Sequence, residues 1–199
     1  MTLILQLDSY GQPNKWITWQ TAVTYHSKDL IAWSLGDVEM VIRGGDNRIT
    51  GKQSIIKTSS IVAIKGEVGQ KRRNKPPSLN NRELFRRDRH MCAYCGKIFK
   101  EAGLSRDHII PASKGGPDTW MNCITCCGRC NQRKSDKTLE ECGMSLLFVP
   151  YVPSRAEYLF LQNKNILFDQ MEFLLSFIPE ESRAREHIIE NNEIILTEH

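Results

Sequence analysis

The spacing of apolar residues changes along the chain, and that change divides it into elements. Residues 3–7 form a short run of Leu and Ile around one glutamine and read as a strand. Trp19–Ser27 reads as a short helix, and residues 31–43 and 60–65 carry strand-like runs of Ile, Val and Trp. Gly44-Gly45-Asp46-Asn47 reads as a turn. Residues 66–80 have the composition of a linker and end in Pro76-Pro77-Ser78, which disfavours helix and precedes a new element. Ser78 or Asn80 is placed to cap a helix over residues 81–89. Thr138-Leu139-Glu140-Glu141 and Ser154-Arg155-Ala156-Glu157 both fit a capping box. Leu167, Met171, Leu174, Leu175 and Ile178 fall on one helical face, a pattern of core packing or of a contact with a second copy.

These elements predict an α+β protein in four parts. They are a mixed α/β lobe (1–66), a basic linker (67–80), a cysteine-rich domain (81–145) and a helical extension with an acidic tail (146–199). The 199 residues suffice for one compact domain with appendages. No apolar run approaches the roughly 18–20 residues that span a bilayer. The first residues also lack the basic and apolar regions of a signal peptide, so the expected location is cytoplasmic. The net charge of +4 conceals an asymmetry. Residues 71–89 hold eight basic side chains against Glu83 and Asp88, whereas residues 180–198 hold six glutamates against Arg183 and Arg185. A basic segment of that kind suits phosphate contacts or a solvated linker.

Six of the seven cysteines lie between Cys92 and Cys130, an odd total in pairs that suits metal better than disulfides. Cys92-Ala93-Tyr94-Cys95 and Cys127-Gly128-Arg129-Cys130 are two C-x-x-C knuckles, and a zinc ion needs about four such ligands in a tetrahedron. Gly96 and Gly128 allow the turns around it. Cys123 and Cys126 form a rival pair. Cys127 and Cys130 are preferred because Asn131 follows at the start of a helix, which leaves Cys123 and Cys126 buried on a strand and Cys142 as a packing thiol. A zinc ion closed by four thiolates has a structural task and does not by itself imply an enzyme.

Between the knuckles stand Asp107-His108-Ile109-Ile110-Pro111, then Gly115-Gly116, then Trp120-Met121-Asn122; Asn131 and Lys134 follow the second knuckle. Asn122 lies 14 positions after His108, and Asn131 lies nine positions after Asn122. This stretch resembles HNH endonucleases of the ββα-metal, or His-Me finger, class, including the HNH domain of RNA-guided CRISPR effectors. The resemblance covers about a quarter of the chain and implies a ββα nuclease unit stapled by zinc. It implies that His108 is the general base that activates water, that Asp107 and Asn131 hold the catalytic metal, and that Asn122 pins the loop orienting His108. An amide suits that last task because it bonds both an N–H and a C=O. Asp107 precedes His108 on a strand, so the two side chains leave the backbone on opposite faces. The third position of the motif, often histidine, is Asn131 here. With Asp107 it offers only oxygen ligands, which favours Mg²⁺ or Mn²⁺ over Zn²⁺ or Ni²⁺.

The expected substrate is DNA, double-stranded, cut to leave a 3′-hydroxyl and a 5′-phosphate as the resemblance implies. Lys71, Arg72, Arg73, Arg86, Lys114, Arg129, Arg133, Lys134 and Lys137 are the expected phosphate contacts, with Arg133 and Lys137 on one helical face. The competing reading is a catalytically silent zinc-containing module that binds nucleic acid. Restriction, phage defence, mobile-element function and repair are all open settings. A homodimer would bring two active sites to a duplex, whereas a monomer would nick.

Overall fold

The computed structural model describes residues 2–66, 76–163, 165–180, 182, 183 and 185. In chain order its elements are β1 (Ile4–Leu7), β2 (Pro13–Ile17), α1 (Trp19–Ser27), β3 (Ile31–Asp46), β4 (Gln53–Ile64), α2 (Asn81–Arg87), β5 (Leu104–His108), β6 (Cys123–Cys127), α3 (Gly128–Lys134), α4 (Leu139–Cys142), α5 (Arg155–Gln162) and α6 (Phe168–Leu175). They form two compact units, one of residues 76–154 and one of residues 1–75 with 155–199. The architecture is α+β.

The larger unit is built on a four-stranded sheet in the order β2-β1-β4-β3. β1 runs parallel to β4, and the other neighbours are antiparallel. Every residue of β1 is buried because both faces of the sheet are covered. Ile4 and Val62 pack under α1 with Ala22 and Tyr25. Leu5, Leu7, Ile61 and Ala63 pack on the other face against Ala156 and Leu159 of α5, Leu174 of α6, and Ile178. Gln170, fully buried, donates through Nε2 to the carbonyls of Leu3 and Ser60 at 2.8 Å each. The stretch expected as one helical extension over 146–199 is therefore divided. Its first residues close the smaller unit, and α5 and α6 complete the sheet unit, because an open apolar sheet face must be covered by another layer.

β3 and β4 form a long hairpin whose turn falls at residues 47–52, not at Gly44–Asn47. The strand continues through Gly44 and Gly45 to Asp46, with an irregular register after Arg43. The Asn47 side chain then closes the turn by accepting from the N–H groups of Ile49 and Thr50 at 2.9 and 3.1 Å.

The smaller unit starts at Pro76. Asn80 caps α2 by accepting from the Glu83 N–H at 3.1 Å. Left-handed Arg89 and His90 (φ 56° and 54°) end the helix two residues earlier than the apolar pattern suggests. β5 and β6 pair antiparallel, and α3 follows β6 directly. The core between α2 and β6 mixes apolar Leu84, Phe85 and Ile124 with buried polar groups. Arg87 lies with its guanidinium on Asp88 (2.8 Å) and on the carbonyls of Trp120, Tyr151 and Cys123 (2.7, 2.9 and 2.8 Å). Asp88 in turn accepts from the Thr125 N–H at 2.8 Å. Thr138 and Glu141 form the expected capping box on α4. Among the described residues no helix is long and apolar enough to cross a membrane.

Candidate active site

Cys92, Cys95, Cys127 and Cys130 converge with their sulfurs within 4.8 Å of one another. A reverse turn makes the first knuckle: the Cys92 N–H donates to the Lys97 carbonyl at 2.9 Å, and Gly96 takes φ 71° and donates to the Cys92 carbonyl. The second knuckle spans the junction of β6 and α3, with Cys127 as the N-cap and Cys130 in the first helical turn. Burial pushes the Cys92 thiol up, but backbone N–H groups of Cys127, Cys95 and Tyr94 outweigh it and hold the thiol down at about 7. Burial, followed by the neighbouring thiols, pushes Cys130 up. Four crowded thiols resist joint ionisation unless a cation joins them, so the donor set has the chemistry of a structural zinc site. Cys123 and Cys126 are buried on β6, outside this cluster.

β5 displays Asp107 and His108 on opposite faces. The Asp107 carboxylate is buried; Oδ1 accepts from Lys134 Nζ at 3.1 Å and Oδ2 from the Tyr94 hydroxyl at 2.6 Å. Burial and then this carboxylate push the Tyr94 phenol well above its ordinary range. Ser105 shares the Asp107 face, and its hydroxyl accepts from Asn131 Nδ2 at 3.0 Å. Asn131 and Lys134, one turn apart on α3, thus address the same face of β5. Each oxygen of Asp107 has accepting capacity beyond its one hydrogen bond, and Asn131 adds a neutral carbonyl oxygen. The pair fits a hard divalent cation in donor chemistry, with the Lys134 ammonium competing for the same carboxylate.

His108 is half-buried on the other face. Its Nε2 is 3.0 Å from Asp118 Oδ1, and its carbonyl accepts from Lys134 Nζ at 2.6 Å. The loop beyond it is fastened by Asn122, whose Oδ1 accepts from the Ile110 N–H at 2.9 Å while Nδ2 donates to the carbonyls of Ile110 (3.0 Å) and Pro117 (2.9 Å). Gly116 permits this knot, since a Cβ there would sit 1.8 Å from the Ile110 oxygen.

Arg129, Arg133 and Lys137 are exposed. α3 ends at Lys134, and Ser135 takes φ 52°, so Arg133 and Lys137 do not continue one helical face. Lys134 is not a surface cation: it is fully buried on Asp107 and the His108 carbonyl. Arg86 is likewise buried, and Lys114 pairs with Glu141. Lys71, Arg72, Arg73 and most of the acidic tail lie outside the described residues. No local sequence signal marks Asp118, Arg106 or Tyr94 as site residues. Asp118 looks like turn chemistry in Gly115-Gly116-Pro117-Asp118, although Arg106 and His108 at strand spacing predict a shared face for it to serve.

A protein-family model described as HNH endonuclease matches residues 92–147. The CRISPR-associated endonuclease Cas9 of Corynebacterium diphtheriae is 38% identical over 55 residues, which are 27% of this chain and 5% of that protein. The crystal structure of the Type II-C Cas9 enzyme from Actinomyces naeslundii is similar over 50% of this chain and 12% of its own, at 23% identity and a TM-score of 0.27. The chain therefore spans only a small fraction of the length of these relatives. The stretch that matches the HNH endonuclease family model, residues 92–147, holds the four-cysteine cluster together with Asp107, His108, Asn122 and Asn131.

Proposed function

We propose that the chain is a metal-dependent endonuclease that hydrolyses DNA phosphodiester bonds and leaves a 3′-hydroxyl and a 5′-phosphate. One observation carries this reading: His108 stands on one face of β5 with its ring nitrogen held, while Asp107 stands on the other face toward Asn131. Phosphodiester hydrolysis needs an activated water and charge stabilisation on the phosphate. His108 takes the proton from water, as an imidazole can near neutral pH. Asn122 keeps the loop after His108 from shifting. Asp107 and Asn131 would hold Mg²⁺ or Mn²⁺, which when bound supplies positive charge to the phosphate. Zinc in the four-cysteine cluster is structural, because four thiolates leave no position for water.

Double-stranded DNA is the proposed substrate, with Arg129, Arg133, Lys137 and the Lys71–Arg72–Arg73 run as backbone contacts. One site per chain suits nicking, and a homodimer would be needed for coordinated cleavage of both strands.

Supercoiled plasmid incubated with the full chain and Mg²⁺ tests the reading. The wild type is expected to nick or linearise it, and His108→Ala to lose roughly 10²–10⁴-fold in rate. The silent binding module is the second reading, favoured by the Lys134 ammonium and Tyr94 hydroxyl that already engage Asp107. Tight DNA binding without cleavage in either Mg²⁺ or Mn²⁺ would establish it instead.

A further inference from the structure

Asp118 gathers three donors. Arg106 and His108 share a face of β5, across from Thr125 and Cys123 of β6. The loop between the strands returns Asp118 over that face. Its Oδ1 lies 3.0 Å from His108 Nε2 and accepts from Cys123 Sγ at 3.3 Å. Arg106 Nη1 is 2.9 Å from both carboxylate oxygens. Asn122 fastens the loop one residue before Asp118 through the Pro117 carbonyl. The carboxylate is thus held from both sides, by a cation across the strand and by the backbone next to it.

An ionised carboxylate only accepts hydrogen bonds, so the facing Nε2 must carry a hydrogen. In a neutral imidazole the lone pair then resides on Nδ1. Among the described residues Nδ1 has no hydrogen-bond partner. We infer that Asp118 is a positioning residue of the proposed nuclease, fixing the tautomer and orientation of His108 so that Nδ1 accepts the proton of the attacking water. This rests on the reading of His108 as general base. In the step, a water O–H bond breaks and its proton goes to Nδ1. The resulting hydroxide forms a bond to phosphorus as the bond to the 3′-oxygen breaks, and that oxygen takes a proton from solvent. Asp118 then faces an imidazolium and stabilises the charge that has formed. A metal ion on the His108, Asp118 and Cys123 atoms is disfavoured, because the Arg106 guanidinium already occupies both oxygens of the carboxylate.

Two measurements on the full chain decide this. The first is the imidazole ¹⁵N–¹H correlation spectrum of His108, assigned by its loss in His108→Ala and recorded where the ring is neutral. Protonation at Nε2 in the wild type, shifting towards Nδ1 in Asp118→Asn, is the expected result. Protonation at Nδ1 in the wild type overturns the inference, whether or not the protein cleaves DNA. The second is steady-state cleavage. Asp118→Asn is expected to lower kcat about 100-fold with KM within about two-fold, and Asp118→Glu to recover part of the loss. Wild-type kcat in Asp118→Asn, beside an inactive His108→Ala, overturns the inference and leaves the nuclease reading standing. Equal cleavage by wild type and His108→Ala removes the reading of His108 as general base and overturns the inference with it, whatever tautomer the spectrum shows.

Discussion

The two units are held together by different physics. The sheet unit buries aliphatic side chains from both faces of β1 and β4, and its C-terminal segment adds Ala156 and Leu159 of α5, Leu174 of α6, and Ile178 to the same layer. The unit of residues 76–154 buries Leu84, Phe85, Ala93, Trp120 and Ile124, but also Arg87, Asp88, Asp107, Thr125 and Lys134. At that size one apolar core supplies only about 3–5 kcal/mol, so cross-links make up the difference. The unit of residues 76–154 has a four-cysteine cluster and two buried ion pairs, Arg87–Asp88 and Lys134–Asp107. Asp107, the proposed metal ligand, belongs to this polar interior.

Removing the metal should separate the two units most sharply. Zinc-dependent domains gain an apparent 10–16 kcal/mol from the ion, more than a unit of this size holds by itself. A strong chelator, or Cys92→Ser, is expected to unfold residues 76–154 while β1 and α5 keep their protected amides. Hydrogen exchange read by mass spectrometry checks this. Equal loss of protection in both units would show that they share one stability.

Single core substitutions sharpen the contrast next. Arg87→Met leaves Asp88 buried without its cation, and breaking a buried pair costs about 3–5 kcal/mol. Replacing both Arg87 and Asp88 by apolar residues should recover much of that loss, although the carbonyls of Trp120, Tyr151 and Cys123 would then lack their donor. In the sheet unit Leu159→Ala should cost about 2–5 kcal/mol through transfer and cavity alone, with no partner substitution able to restore it. Urea melts of the three variants give the comparison directly. A double variant no better than Arg87→Met would show that the carbonyl contacts dominate.

The same contrast explains what sequence reasoning could see. The cysteine knuckles, the Asn80 cap and the Thr138–Glu141 capping box are local, and spacing alone specifies them. The choice of Cys127 and Cys130 over Cys123 and Cys126 followed from one local fact, the helix that begins after Cys127. Lys134 and Arg86 are harder to place, because a cation in a basic stretch looks solvated until its partner is known; for Lys134 that partner lies 27 residues away in Asp107. The cover that α5 and α6 give the sheet was invisible for the same reason. An amphipathic face says that something is buried against it, not which sheet lies there. Gly44 and Gly45 do not distinguish a turn from an irregular strand, because paired glycines suit both.

Asn122 is where stability and function should part. Asn122→Ala removes three hydrogen bonds to the Ile110 and Pro117 backbone, which should cost about 1–3 kcal/mol. The His108 loop would lose its anchor, so the loss of cleavage rate should exceed what the unfolded fraction explains. Gly116→Ala should behave similarly, since its Cβ would displace the same Ile110 carbonyl. Cleavage measured at a temperature where each variant is fully folded separates the two effects. Unchanged cleavage by folded Asn122→Ala would reduce this amide to a structural staple.

The smallest effect on the fold should come from Arg133, which is exposed on α3 and takes no part in the buried network. Arg133→Ala should change stability by less than about 0.5 kcal/mol. If Arg133 contacts a phosphate, the slope of log affinity against log salt should become shallower by about 0.9, the share of one released counterion. The weakening should be uniform across DNA sequences, because a backbone contact carries no base readout. Lys134→Met is the matched control. It lies one residue away, yet its buried ammonium faces Asp107, so it should destabilise the unit while leaving the salt slope of the folded fraction intact. A shallower slope for Lys134→Met and none for Arg133→Ala would reverse the assignment of surface and interior cations on this helix.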